Sequence, residues 1–91
     1  MLQLTTTGKF RRDYKRLKKR GYNLSLLEEV IDTLLREEPL EAARRDHELV
    51  GRYTGFRECH VQPDWLLIYM VDGDRLILTA ARTGSHSDLF G

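Results

Sequence analysis

The sequence predicts an α+β domain: an N-terminal strand and a helical hairpin packed on a small antiparallel β-sheet. Three observations carry this. Apolar residues recur at helical spacing between residues 8 and 37, the period changes to two from Tyr53 onward, and Asp72-Gly73-Asp74 separates two apolar runs as a hairpin turn. Helices and strands so segregated along a chain form layers, a helical pair on one face of a sheet.

Each element has a local cause. Residues 2–6 (Leu-Gln-Leu-Thr-Thr) alternate and favour a short strand. Thr7 can cap a helix from Gly8 to Arg20, whose Phe10, Tyr14 and Leu17 share one face, and Gly21 is a C-terminal stop. A second helix is expected over 24–37, capped by Asn23 or by Ser25, since Ser25-Leu26-Leu27-Glu28 has the capping-box pattern. Its stripe of Leu27, Val30, Ile31, Leu34 and Leu35 marks it as the helix packed on the sheet, and Pro39 ends it. Residues 40–52 read as a polar loop containing His47, with Leu49 as an anchor. Tyr53–Val61 reads as a strand with Arg57, Cys59 and Val61 on one side and Phe56, Glu58 and His60 on the other. Gln62-Pro63-Asp64 is a tight connection to Trp65–Val71, which is apolar nearly throughout, as a central strand should be. Arg75–Thr83 is the return strand, and Gly84 breaks it before a short tail, leaving one sheet face open for function.

Ninety-one residues, 41% of them hydrophobic, make one domain, residues 1–91. A core of that size buries roughly 60–65% of the unfolded surface. The single Cys59 can form no intrachain disulfide, and neither a signal-peptide layout nor a long apolar run is present, so a cytoplasmic protein with no membrane association is expected. The net charge of +1 conceals segregation. Residues 1–20 hold eight bases (Lys9, Arg11, Arg12, Lys15, Arg16, Lys18, Lys19 and Arg20) against Asp13, a balance of +7, whereas 21–50 carry −5 and 51–91 carry −1. The first helix is either a phosphate-binding surface or a solvated face.

All three histidines lie in the second half, in the runs Asp46-His47-Glu48, Glu58-Cys59-His60 and Ser85-His86-Ser87. Imidazole titrates near neutrality and suits proton transfer. Asp64, after the turn that follows His60, can orient an imidazole or take a proton, or merely cap the turn. In an antiparallel meander the end of the last strand returns to the start of the preceding one, which brings His86 toward Asp64 and Trp65. Trp65 is either core or the wall of a base-binding site. Phe90, next to last, is core only if the tail docks, and otherwise a stacking platform for a splayed base. Arg82 is a phosphate clamp, because guanidinium binds phosphate bidentately and stays charged. Three imidazoles and a carboxylate are also a zinc donor set, but the spacing 47–60–86 matches no compact ligand motif, so no metal and no cofactor are expected. Cys59 alternates out of phase with His60 and should face the core, which argues against a cysteine nucleophile.

The segments Asp46-His47-Glu48-Leu49, Gly55 to Tyr69 with its core His60-Val61-Gln62-Pro63-Asp64-Trp65-Leu66-Leu67-Ile68-Tyr69, Arg82-Thr83-Gly84-Ser85-His86 and Leu89-Phe90-Gly91 resemble the RelE superfamily of bacterial type II toxins, in its YafQ-like branch. The likeness spans essentially the whole chain. It implies a compact microbial-RNase-like α+β fold and a ribosome-dependent endoribonuclease cutting mRNA in the A site, neutralised by a cognate antitoxin. Operator DNA is implied only indirectly, through the antitoxin complex. By the resemblance, His47, His60 and His86 are active-site histidines, Asp64 the carboxylate, Phe90 the terminal aromatic, and Arg82 a matching arginine; Glu58 stands where this branch often has Asp. The implied chemistry is metal-independent attack of the substrate's 2′-OH, with Asp64 or His60 as base, His86 as acid, and His47 and Arg82 stabilising the phosphorane. The basic helix would then dock on ribosomal RNA. A relative without catalysis, acting only within an antitoxin complex that represses its operon, is the alternative, although such a binder needs no proton donors.

Overall fold

The computed structural model describes residues 1–91. Its elements are β1 (Gln3–Thr6), α1 (Gly8–Lys19), α2 (Leu24–Leu35), β2 (His47–Glu48), β3 (Arg57–Gln62), β4 (Trp65–Asp72), β5 (Ile77–Gly84) and α3 (His86–Phe90). The five strands form one sheet in the order β1-β5-β4-β3-β2. Strands β2 to β5 pair antiparallel, the expected meander, while β1 joins β5 in parallel and makes the sheet mixed. No helix is long and apolar enough to cross a membrane.

Local chemistry sets the helix ends. Thr7 Oγ1 accepts the Phe10 N–H at 3.0 Å and donates to the Ala81 carbonyl at 2.6 Å, so the cap of α1 also pins it to β5. Gly21 supplies the positive φ (83°) that stops the helix. Asn23, not Ser25, caps α2: its side chain accepts from the Ser25 N–H, and Ser25 lies inside the helix. The main core lies between the helical hairpin and the sheet, with Phe10, Leu17, Leu27, Val30, Leu34, Cys59, Val61, Trp65, Leu67, Tyr69 and Leu78 all buried.

Three expectations are corrected. Residues 40–52 are not a plain loop. A 3-10 turn (Ala42–Arg44) and the two-residue edge strand β2 lie within it, and β3 begins at Arg57 rather than Tyr53. The tail is also structured: Ser85 and Asp88 form a reciprocal capping box that starts α3. Finally, the second sheet face is partly covered. Leu89 of α3 is buried against Leu66, Ile68 and Ala81, with Leu49, Tyr53 and Phe56 alongside. Burying one leucine contributes about 1.5–3 kcal/mol, enough to dock a single helical turn. Gly84 (φ +154°) permits the approach, since a Cβ there would lie 2.9 Å from Asp88 Oδ2.

Candidate active site

Antiparallel pairing of β2 with β3 sets His47 opposite Glu58, and His60 follows two residues along the same face of β3. Glu58 is buried, and its Oε1 stands 3.5 Å from His47 Nε2 and 3.8 Å from His60 Nε2. The His60 and His86 rings lie 5.9 Å apart between centroids, and His86 lies 6.5 Å from Phe90. A row therefore runs from His47 through Glu58 and His60 to His86 and Phe90.

Each imidazole is held in the same way. Nδ1 of His47 lies 2.8 Å from the Arg45 carbonyl, and Nδ1 of His60 lies 3.2 Å from the Pro63 carbonyl. A carbonyl only accepts, so Nδ1 must be the protonated atom in both rings. His86 Nδ1 lies 2.6 Å from Asp64 Oδ1, which also accepts the His86 backbone N–H at 3.0 Å. The Nε2 atoms lie outside these anchors, those of His47 and His60 facing Glu58 and that of His86 unengaged, and a proton can arrive or depart there. The Asp64 carboxyl is lowered from its ordinary range, first by the His86 backbone N–H and then by the imidazole. Asp64 is thus committed to His86, which meets it as the meander required, and it does not join His60.

Asp46 is the anchor behind His47. Its Oδ1 accepts Tyr69 O–H at 2.6 Å and Arg57 Nε–H at 3.2 Å. Burial first, then the Asp46 carboxylate, drives the Tyr69 phenol upward, so it remains a donor. On the other flank Tyr53 packs edge-on to Phe90 at 5.8 Å, and a cleft of about 460 Å³ opens among Arg52, Tyr53, Arg82 and Phe90. Burial pushes the Tyr53 phenol up, but the Arg52 and Arg82 cations outweigh it and the net shift is downward. Phe90 is half exposed and open to stacking.

Two expected site residues stand elsewhere. Trp65 is 1% exposed, donates Nε1–H to Thr83 Oγ1 at 2.9 Å and packs edge-on against Tyr22, so it is core and no wall of a base site. Arg82 is not a free clamp: Nε and Nη2 are forked onto Asp13 at 2.7 and 3.1 Å, which raises its guanidinium pKa further. Only the remaining edge of its guanidinium faces the Phe90 cleft. Asp13 also receives Arg16 and the Thr83 N–H, an amide of β5 beyond the reach of β1. The sequence contained a signal for Asp13, the sole acid in the basic segment, sitting with Phe10 and Leu17 on the apolar face of α1.

Among the eight bases, three are engaged within the fold. Arg11 donates to Thr6, Arg16 to Asp13 and Arg20 to Asp88. Lys9, Arg12, Lys15, Lys18 and Lys19 are exposed. Cys59 is fully buried and burial pushes its thiol up to about 12, so no thiolate forms near neutrality.

A family model described as "Bacterial toxin of type II toxin-antitoxin system, YafQ" matches residues 2–91. The mRNA interferase toxin YafQ of Escherichia coli K12 is 40% identical over 86 residues, covering 93% of this chain and 91% of that protein. The crystal structure of a metal-bound toxin from Helicobacter pylori superposes with a TM-score of 0.92 at 44% identity, over 99% of this chain and all (100%) of that one. YafQ in the E. coli DinJ–YafQ complex superposes with a TM-score of 0.90 at 35% identity, with 100% of both chains covered. The α+β fold is that of these toxins, and the chain belongs to the YafQ toxin family of type II toxin–antitoxin systems.

Proposed function

We propose that this protein is an mRNA interferase, a ribosome-dependent endoribonuclease that cuts mRNA in the A site and is restrained by a cognate antitoxin. The observation that carries the reading is the row of three imidazoles, each anchored through Nδ1, with Nε2 of His47 and His60 turned toward Glu58 and that of His86 unengaged. Paired proton donors and acceptors beside an aromatic platform are what in-line attack by an internal 2′-OH requires, and the nucleophile comes from the substrate. His60 removes the 2′ proton. His86, held by ionised Asp64, protonates the departing 5′ oxygen, leaving a 2′,3′-cyclic phosphate and a 5′-OH. His47 stabilises the phosphorane, where one well-placed donor contributes about 3–4 kcal/mol, and Phe90 stacks a splayed base. Asp64 acts through His86 and not as the base, because both of its short contacts go to that residue.

The exposed lysines of α1 dock on ribosomal RNA backbone. The DinJ–YafQ complex supports an antitoxin partner for this chain as well, and operator DNA is met only through such a complex. The test is primer extension on programmed ribosomes, with EDTA-treated enzyme in magnesium-containing ribosome buffer. Wild type should give discrete in-frame cuts, whereas His86→Ala should give none while still binding ribosomes. Equal loss of binding and cleavage would overturn the role of His86. No cleavage by wild type, with binding intact, would favour a binding module within an antitoxin complex.

A further inference from the structure

Beside the imidazole row lies a second cleft, of about 440 Å³, between the 3-10 turn Ala42–Arg44 and the end of β3. Its walls include Glu41, Arg44, Arg45, His60, Gln62 and Pro63. Clefts of roughly 300–1,000 Å³ are the size range of small-ligand sites. His60, the proposed base, is shared between the cleft and the row.

Three features show that the cleft is shaped by the fold. Arg44 donates Nη1–H to the Val61 carbonyl, which fixes its guanidinium against the strand end. Pairing of β3 with β4 shifts register between His60 and Gln62, and bulges of this kind re-aim side chains beside active sites. Arg45 adopts the left-handed conformation (φ 51°), uncommon for a residue with a side chain. That conformation turns its carbonyl onto His47 Nδ1 and leaves its guanidinium exposed on the cleft wall. One strained residue therefore joins the catalytic row to a basic cleft.

We infer that this cleft binds the RNA nucleotide flanking the scissile bond, with Arg45 and Arg44 on its phosphate and the Gln62 amide on its base edge. The inference rests on the RNA-cleavage reading and extends it to a subsite. Guanidinium suits phosphodiester oxygens, and a carboxamide offers a donor and an acceptor to a base edge. Two cations face one carboxylate, Glu41, so the cleft favours an anion, and its continuity with His60 places that anion one step from the reacting phosphate.

The test compares Arg45→Gly, Gln62→Ala and Glu41→Gln with wild type on programmed ribosomes. Cleavage is followed against enzyme concentration and KCl. Binding is measured separately, with mRNA carrying a 2′-deoxy nucleotide at the cut site. Arg45→Gly suits the question because glycine accepts the positive φ that sets the carbonyl on His47 while removing the side chain that bears the guanidinium. It should raise KM about tenfold, the loss of one charge-assisted hydrogen bond, and change KM more than kcat. The salt dependence of binding should fall by about 0.7 in log–log slope, one single-strand phosphate. Glu41→Gln should lower KM, and Gln62→Ala should redistribute the cut sites. An Arg45→Gly enzyme with wild-type KM and salt slope would overturn the inference alone. So would one that weakens the hold of an antitoxin but not of mRNA. A wild type that cuts nothing would remove the cleavage reading, and the subsite with it.

Discussion

Replacing Asp88 by asparagine tests how the C-terminal turn that carries His86 and Phe90 is held. Arg20, which caps the C-terminus of α1, grips Asp88 through two bonds, at 2.8 and 3.2 Å, across 68 residues of sequence. That contact is the largest cause lowering the Asp88 carboxyl from 3.8 to about 2. A tenfold change in ionisation constant is about 1.4 kcal/mol, so the whole shift, which the Ser85 N–H and hydroxyl share with Arg20, reaches ~2.5 kcal/mol at face value. Arg20 is 43% exposed, and solvent screening brings this to about 1–1.5 kcal/mol. Asparagine keeps an oxygen for the Ser85 N–H of the capping box and removes the charge. In a domain of this size, 1 kcal/mol is about 4–8 °C in Tm. Asp88→Asn should therefore melt roughly 4–12 °C below wild type at pH 7. Because the folded pKa is depressed, the stabilisation is complete above the unfolded value near 4 and disappears as pH falls through about 2. The gap in Tm should close between pH 4 and pH 2. If loosening of α3 accounts for the whole loss, cleavage should slow by up to about tenfold. Equal Tm values at pH 7, or a gap that persists at pH 2, would refute the reasoning.

Other perturbations follow from the same geometry. Asp13→Ala leaves Arg82 and Arg16 without their buried carboxylate and orphans the Thr83 amide, and should cost about 3–5 kcal/mol by urea titration; a loss below 1 kcal/mol would mean water replaces it freely. Tyr69→Phe removes the O–H that holds Asp46, and with it the segment presenting His47. It should cost about 1 kcal/mol in stability and lower kcat more than it raises KM, so unchanged kcat would deny Asp46 a positioning role. Reversing charge at Lys15, Lys18 and Lys19 should weaken ribosome association and flatten its log–log salt slope by roughly 2–3, without changing cleavage of ribosome-bound mRNA at saturation; unchanged affinity would refute the docking surface.

Much of the fold is local enough to read from the chain. Thr7 is a good N-cap in any context, the Leu27–Val30–Ile31–Leu34 stripe has one buried solution, and the hairpin lies where Asp72-Gly73-Asp74 marks it. The turn nevertheless runs on to Leu76, which takes the positive φ (58°), and β5 starts at Ile77 rather than Arg75. The elements that escaped depend on partners distant in the chain, although α3 also has a local start in its Ser85–Asp88 capping box. Strand β2 is two residues long and exists because β3 supplies its hydrogen bonds. Helix α3 is five residues, too short to persist alone, and owes its place to Leu89 burial and the Arg20–Asp88 contact. Trp65 offered core and cleft as equal readings until Tyr22 and Thr83 closed around it.

The sequence by itself determined which chemistry this protein carries: three imidazoles, Asp64 and a terminal aromatic, in segments that name the family. Residue type and spacing along a strand are properties of the chain. Only the tertiary structure decided how those groups are used. It set Glu58 between His47 and His60, bound Asp64 to His86 across 22 residues, and turned Arg82 inward onto Asp13 across 69. Those pairings follow from strand register and helix docking, which depend on the core as a whole, and no short stretch of residues encodes them.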